Sequence, residues 1–135
     1  MVTIERYIPL VLKTGNQIGG RHWANKYGYR NKIFKGIQWY FLGKDRPRNI
    51  LRVKVLIEIT RVMKKGQRAF DHENLAWGMK PIPDFLKQNG WIHEDSPEWL
   101  DRVYNQVKSV DIGMKDSDFG VIIKITYPDE CFSKE

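Results

Sequence analysis

The chain is organised around the stretch Phe70-Asp71-His72-Glu73-Asn74, which continues through Lys80 and Asp84 to Glu94-Asp95-Ser96. Five carboxylates lie within the 25 residues that begin at Asp71. An alternating apolar segment precedes this stretch and helical spacing follows it, so the sequence predicts a strand, a helix and a turn in succession. This succession indicates an α/β fold, and a dense acidic segment in a basic chain calls for a functional reason.

Length and composition limit the classes of protein to consider. The chain has 135 residues, of which 41% are hydrophobic and 13% aromatic, as expected for one folded domain with one core. No apolar run approaches the roughly 20 residues of a membrane span, so we expect no membrane partner. The charged residues near Met1 do not resemble a secretory signal. Cys131 is the single cysteine, which excludes an intramolecular disulfide and a multi-cysteine metal site. A cytoplasmic location is therefore expected.

The net charge of +7 is unevenly distributed along the chain. Residues 1–70 contain sixteen Lys and Arg against three Asp and Glu, whereas residues 71–135 contain seven against thirteen. A basic half suits a polyanionic partner, because neutralising phosphates releases counterions. A well-solvated basic surface explains the same charge. Charge alone leaves both interpretations open.

Hydrophobic periodicity predicts the order of strands and helices. The predicted elements are strands at Val2–Leu12, Leu51–Thr60, Trp99–Val110 and Phe119–Tyr127, and helices at His22–Leu42 and Asn74–Asn89, with a loop at residues 14–20. The strand at Leu51–Thr60 should be central, and Pro81 and Pro83 should kink or restart the second helix. Residues 129–135 are expected to form a loose tail. Together these elements predict a single α/β (α+β) domain over residues 1–135, with a mixed sheet packed against two main helices.

The first predicted helix carries an aromatic stripe and several basic residues. The stripe follows i, i+3/i+4 spacing and consists of Trp23, Tyr27, Phe34, Ile37 and Phe41. It is interpreted as core, with a base-stacking platform as the alternative. The basic residues are the better candidates for contacts with DNA.

The acidic stretch has the composition of a site for a divalent cation. Asp71 and Glu73 point the same way if the segment is extended, so both carboxylates could reach one ion. Asp95 follows the predicted helix and a short strand at Trp91–His93, so the chain can return it beside Asp71. Three oxygen ligands with open positions suit Mg²⁺ or Mn²⁺. Such an ion generates hydroxide and stabilises charge that develops on a phosphate.

Two neighbouring residues extend this hypothesis, and a structural alternative competes with it. Lys80 would neutralise a pentacovalent phosphate or assist the leaving oxygen, while Asn74 would cap the helix or orient a ligand. Alternatively, a helix N-terminus collects acidic residues because they stabilise its dipole. That alternative explains Asp71 and Glu73 and leaves Glu94-Asp95 unexplained.

Several short motifs in this stretch resemble one nuclease family. They are Asp71-His72-Glu73-Asn74-Leu75, Gly78-Met79-Lys80-Pro81, Asp84-Phe85-Leu86, Gly90-Trp91-Ile92 and Glu94-Asp95-Ser96. Their types and order resemble the RusA family of Holliday-junction resolvases. The similarity is greatest to the phage- and prophage-borne branch, where the lysine lies in a Gly-x-Lys-Pro setting. The signature covers residues 70–96.

The resemblance implies a homodimeric, Mg²⁺-dependent endonuclease that makes paired nicks in four-way DNA junctions in a bacterial cytoplasm. By position, Asp71, Glu73 and Asp95 match the metal-binding carboxylates, and Lys80 matches the catalytic lysine. Asp84 matches a further acid on the helix. Asn74, Asp84 and Glu94 are the candidates for supporting roles around the metal.

The sequence departs from the family pattern at three points. Glu73 replaces the usual second Asp, and Glu94 replaces the first Asp of the Asp-Asp turn. The separation between Asn74 and Lys80 is also longer than in much of the family. Each departure keeps its carboxylate or its lysine, so we expect activity to be retained, with the preference for Mg²⁺ or Mn²⁺ left open.

The remaining predictions concern the partner and the class of activity. The expected phosphate contacts are Arg21, Lys26, Arg30, Lys35, Lys64, Lys65 and Arg68. His72 and His93 flank the acids and could act as a base or a ligand, although a hard oxygen site does not need them. Within enzymes, the alternative is a flap or branched-DNA nuclease of looser specificity. From another class, it is a DNA-binding protein without catalysis.

Overall fold

The computed structural model describes residues 1–14 and 23–133, with the side chains of residues 23–25 left outside that description. Its strands are β1 (Val2–Ile8), β2 (Val55–Met63), β3 (Leu100–Lys108) and β4 (Gly120–Tyr127). Its helices are α1 (Trp23–Gln38), α2 (His72–Met79) and α3 (Pro81–Gln88), and two short 3₁₀ turns span Ser109–Ile112 and Asp129–Phe132.

The four strands form one mixed sheet in the order β1-β4-β2-β3. β2 pairs in parallel with β3, and β4 pairs antiparallel with both β1 and β2. A parallel pair requires a crossover connection, and here α2 and α3 provide it. The acidic stretch from Asp71 to Asp95 therefore lies within a single β2-α2-α3-β3 unit.

The core lies between one face of the sheet and the helices. Residues that are fully buried or nearly so include Ile57 and Ile59 of β2, Ile123 and Ile125 of β4, Ile33 and Ile37 of α1, and Ile82 and Leu86 of α3. The inward positions of β2 and β4 alternate along each strand, as a half-buried sheet requires. The prediction of an α/β (α+β) domain with a mixed sheet against helices is confirmed, and the strand at β2 is central as expected.

Several predicted boundaries were wrong for local reasons. β2 begins at Val55 because Leu51 and Arg52 form a turn, in which Arg52 has a φ of 56°. β1 ends at Ile8, directly before Pro9. Residues 91–93 form bends in place of the expected short strand, and Trp91 and Ile92 are buried in the core.

The helical predictions need correction in the first helix, and the predicted restart at the prolines is confirmed. α1 ends at Gln38, and Tyr27 of the predicted stripe is 56% exposed, whereas Tyr29 is buried. The second helix restarts at the prolines: α2 ends at Met79 and α3 begins at Pro81, which tolerates the first helical position because its missing N–H has no acceptor there.

The predicted loose tail was wrong for residues 129–132. They form a 3₁₀ turn in which Cys131 is fully buried, and the Phe132 ring packs against Tyr127 at a centroid distance of 5.4 Å. The predicted loop at residues 15–20, the start of the helix at His22 and residues 134–135 lie outside the described residues. Across the residues that are described, no helix is long and apolar enough to cross a membrane.

Candidate active site

The acidic stretch begins at the N-terminus of α2, where Asp71 is the N-cap. Its Oδ1 accepts a hydrogen bond from the Asn74 backbone N–H at 2.8 Å, and its Oδ2 accepts one from Asn74 Nδ2 at 2.9 Å. Glu73 lies in the first turn, exposed to solvent. Each oxygen of an ionised carboxylate can accept more than one bond. Helix capping thus accounts for Asp71 without using all of its capacity.

The residue before the cap is tied to β3. Gln106 Nε2 donates to the Phe70 carbonyl and Gln106 Oε1 accepts from the Phe70 N–H, both at 2.8 Å. The Arg61 guanidinium lies 3.7 Å from the centroid of the Phe70 ring. The start of the acidic stretch is therefore held against the end of the sheet.

A second group of acids meets 13 to 24 residues further along. The carboxylate of Asp84, on α3, lies close to that of Asp95, in the loop before β3. Burial raises the pKa of Asp84, and the neighbouring Asp95 carboxylate raises it further, while Arg30 and Lys80 oppose the shift. Arg30 Nε lies 3.8 Å from the Asp84 carboxylate. Two neighbouring carboxylates form a site that favours a proton or a cation between them.

Two lysines on one face of α3 lie near the pair formed by Asp84 and Asp95. Lys80, Asp84 and Lys87 are spaced four and three residues apart, so they share one helix face. Lys80 is the joint between α2 and α3 and is exposed. Lys87 Nζ lies 2.5 Å from Glu94 and 4.0 Å from Asp95. The hydrogen bond that Lys87 donates to Glu94 raises the pKa of Lys87. Glu94 is thus engaged by Lys87.

The floor of this site is the helix-facing side of β3. Arg102, Tyr104 and Gln106 alternate along the strand, so they share a face with about 6.6 Å between successive members. Arg102 donates to the Asp95 carbonyl. Burial raises the pKa of Tyr104, and the Asp84 and Asp95 carboxylates add to the shift. Because Phe70 is anchored at Gln106, both parts of the acidic stretch lie over this one face.

The structure brings the predicted metal ligands together only in part. Across residues 1–14 and 23–133, no three His, Cys, Asp or Glu side chains form a compact group able to hold a metal ion. Asp95 meets Asp84, which the sequence suggested only for a supporting role. The neighbouring carboxylates of Asp84 and Asp95 supply hard oxygen ligands, which are the kind that Mg²⁺ prefers. Asp71 and Glu73 belong to the adjacent N-terminus of α2.

A groove that leads to Asp84 is lined by cations and aromatic rings. Its cavity of about 330 Å³ is bordered by Lys26, Tyr29, Arg30, Trp77, Lys80, Pro81 and Asp84. The Trp77 ring stacks on Tyr29 at a centroid distance of 5.7 Å and an interplanar angle of 18°. Three cations beside a partly exposed tryptophan offer both phosphate contacts and a stacking surface. The groove therefore combines positive charge with an aromatic surface.

The other predicted phosphate contacts lie on separate parts of the surface. Lys35 is exposed in the last turn of α1. Lys64 and Lys65 border a cavity of about 380 Å³ after β2, and Arg68 borders another. Arg21 lies outside the described residues.

The two histidines of the acidic stretch stand apart from the carboxylate pair. His72 is exposed at the first position of α2. His93 packs edge-on against Trp99 at 5.2 Å. Neither position indicates a catalytic role for its histidine.

Sequence reasoning missed four residues that shape the site, namely Arg61, Lys87, Tyr104 and Gln106. Lys87 was detectable from its helical spacing to Lys80 and Asp84. Arg61 was detectable as a charge at an inward position of the clearest strand. Tyr104 and Gln106 had no such signal, because β3 is an edge strand with weak alternation.

Comparisons with known proteins leave the family open. No family model matches this chain, and a search of curated proteins finds no significant match. The class is therefore defined by fold and site alone: a small α+β domain with a carboxylate pair beside a basic groove.

Proposed function

We propose that this protein is a metal-dependent endodeoxyribonuclease of the RusA type, which resolves four-way DNA junctions by paired phosphodiester hydrolysis. The observation that carries the proposal is the proximity of Asp95 to Asp84, which borders a groove that Lys26, Arg30 and Lys80 also line. Juxtaposed carboxylates attract a divalent cation, and flanking cations attract the phosphate that the cation activates. The motifs at residues 70–96 support the same assignment.

Mg²⁺, with Mn²⁺ as the alternative, is the proposed cofactor. Asp95 and Asp84 would hold it, with Asp71 and Glu73 supplying further oxygens from the N-terminus of α2. A bound divalent ion lowers the pKa of water and offsets charge on the phosphate. Lys80 contributes a fixed positive charge beside the carboxylates, and Arg30 keeps Asp84 in place through their ion pair.

The partner and the assembly belong to the same proposal. Lys26 and Arg30 bind phosphates along the groove, while Lys35, Lys64 and Lys65 bind phosphates farther out. A homodimer with two-fold symmetry suits paired nicks on opposite strands. The proposed setting is the cytoplasm of a bacterium, with a phage or prophage origin.

The direct test is nicking of a synthetic four-way junction in Mg²⁺, repeated with Asp71→Asn and Asp95→Asn. We expect cleavage by the wild type and its loss in both variants, with junction binding retained. Asp101→Asn is the matched control, because Asp101 is exposed on β3 and pairs with Lys54. Equal cleavage of linear duplex and junction would favour the branched-DNA or flap nuclease.

A non-catalytic DNA-binding protein on this fold is the second candidate. The observation in its favour is that Asp71 serves as a helix cap and joins no compact group of three metal-binding side chains among the described residues. Junction binding without any metal-dependent cleavage would establish this candidate.

A further inference from the structure

Arg61 is a buried cation with no acidic partner among the described residues. Its residue is 5% exposed, at an inward position of β2. Within the described part of the chain, no Asp or Glu lies within 4.0 Å of its guanidinium. Burial lowers the pKa of Arg61, and Tyr29 opposes this shift. Charged groups are rarely buried unpaired, because removing a charge from water is unfavourable.

Neutral groups hold Arg61 in place and leave part of its hydrogen-bonding capacity open. Its Nη1 donates to the Arg68 carbonyl and to Gln106 Oε1, each at 3.0 Å. Gln106 is its direct cross-strand neighbour on β3, and the Phe70 ring lies below its guanidinium plane. Nε and Nη2 make no hydrogen bond to any described residue. An arginine offers five N–H donors in a planar fork that matches the oxygens of a phosphate.

Arg61 lies at the wall of a cavity that two further cations share. The cavity measures about 520 Å³ and is also lined by Lys13 and Arg68. Both side chains are exposed, and no acidic side chain is among the described residues that line it. Gly78 lets α2 pack closely here, since a Cβ at that position would meet the Lys13 carbonyl oxygen at 2.7 Å. The cavity is therefore a positively charged pocket.

We propose that this pocket, formed by Arg61, Lys13 and Arg68, is a phosphate-binding subsite. It holds a backbone phosphate of the nucleic acid outside the bond that is cut, and in this form the inference rests on the proposed function. Phe70 lines the pocket and directly precedes Asp71, so the subsite adjoins the acidic stretch. A bound phosphate supplies the negative charge that Arg61 lacks.

Free phosphate and small phosphate esters share this chemistry, so the test begins with inorganic phosphate. Phosphate is titrated against the full chain at constant ionic strength, and backbone amide shifts are followed by NMR. We expect the amides of Gln67, Arg68 and Phe70 to shift in the wild type. Lys13→Gln and Arg68→Gln should weaken this response several-fold, because each removes one cation from the pocket. Shifts that do not saturate, or that are equal in the variants, would overturn the subsite.

The second measurement is the affinity for a four-way junction in EDTA, as a function of salt. The logarithm of the association constant falls as the logarithm of the salt concentration rises, and each lost phosphate contact should make this slope shallower by about 0.9. Arg48→Gln is the matched control for Arg68→Gln. Both substitutions remove one positive charge. Arg48 lies away from the pocket, because its backbone contacts Cys131 beyond the end of β4, whereas Arg61 pairs with Val121 at the beginning of β4. The control should keep the wild-type slope.

The outcomes separate the subsite from the proposed function. If the wild type cleaves junctions while Lys13→Gln and Arg68→Gln keep its salt slope, the subsite is wrong and the nuclease stands. If no cleavage occurs yet phosphate binds in the pocket and both variants weaken it, the subsite stands and its ligand is a small phosphate. Arg61→Lys adds a check on geometry. It keeps the charge but not the fork, so it should bind phosphate more weakly than the wild type.

Discussion

Gln106 and Phe70 are joined in both directions, since the amide of Gln106 bonds to the N–H and to the C=O of Phe70 at 2.8 Å each. The two hydrogen bonds resemble those of a residue pair in an antiparallel sheet, with the side-chain amide of Gln106 in place of a backbone residue. The connection spans 36 residues of sequence. It fixes the chain one residue before Asp71, so it sets where α2 begins.

Removal of this link should affect both stability and the site. Gln106→Leu leaves two backbone groups of Phe70 and one donor of Arg61 without partners. We expect a loss of about 1–3 kcal/mol in the free energy of unfolding, measured by urea denaturation. Asn105→Leu, on the opposite and exposed side of β3, is the control and should change little. Equal losses in the two variants would contradict the role of Gln106.

Asp71 offers a way to separate capping from chemistry. Asp71→Asn keeps a good N-cap residue, whereas Asp71→Ala loses it at a cost of about 1 kcal/mol. Urea denaturation should therefore distinguish the two variants. Under the proposed function, both should lose junction cleavage, because neither retains a carboxylate. If Asp71→Asn cleaves as the wild type does, Asp71 is a cap and nothing more.

Lys80 is proposed to act on the reaction and not on the fold. Lys80→Ala should bind junctions with nearly unchanged affinity and cleave them about 10²–10³-fold more slowly, as when a preorganised charge is removed from a transition state. Single-turnover cleavage measures the rate, and Lys115→Ala, at another exposed lysine, is the control. An unchanged rate would mean that the lysine of the motif is misassigned.

Asp84 should make stability depend on pH. Because burial and Asp95 raise its pKa, the folded protein binds this proton more tightly than the unfolded chain does. The contribution to stability is therefore complete below the ordinary value of 3.8 and is lost as pH rises through the raised pKa. As pH rises through this window, the free energy of unfolding of Asp84→Asn should increase relative to that of the wild type. Urea denaturation at a series of pH values measures this difference. Parallel curves would contradict the coupling of Asp84 to Asp95.

Tyr29 is expected to contribute to stability through its hydroxyl group. The hydroxyl donates to the Gly78 carbonyl at 2.6 Å and accepts from the Lys13 N–H at 3.2 Å. Tyr29→Phe should lower the free energy of unfolding by about 1–3 kcal/mol, because the Gly78 carbonyl and the Lys13 N–H lose their hydrogen-bond partner. Burial raises the pKa of Tyr29 to about 12, so its absorbance should not titrate near 10. Tyr27→Phe, at an exposed position of the same helix, should be close to neutral.

Local patterns were sufficient for most of the elements. β2 and β4 were predictable because their inward residues alternate, and the break at Pro81 was predictable because proline lacks a donor. The start of β2 was misplaced because the turn at Leu51 and Arg52 continues the apolar alternation. Tyr29 was overlooked because the helical stripe that contains Tyr27 matches the spacing equally well.

The site was less predictable than the fold because its contacts are long-range. The sequence placed Asp95 with Asp71, whereas the fold brings it close to Asp84. Arg30 reaches Asp84 from another helix, 54 positions earlier in the chain. Neither contact leaves a periodic signal, because each depends on how separate elements pack.

The two prolines that open α3 also act before the protein folds. Pro81 and Pro83 hold φ near −65° in the unfolded chain, close to the value that α3 requires. The segment beside Lys80 therefore loses less conformational entropy on folding than an ordinary sequence would. Lys80 itself adopts the αR conformation, with φ −51° and ψ −39°, which the following proline disfavours. The folded domain therefore holds this lysine in a conformation that the unfolded chain seldom adopts.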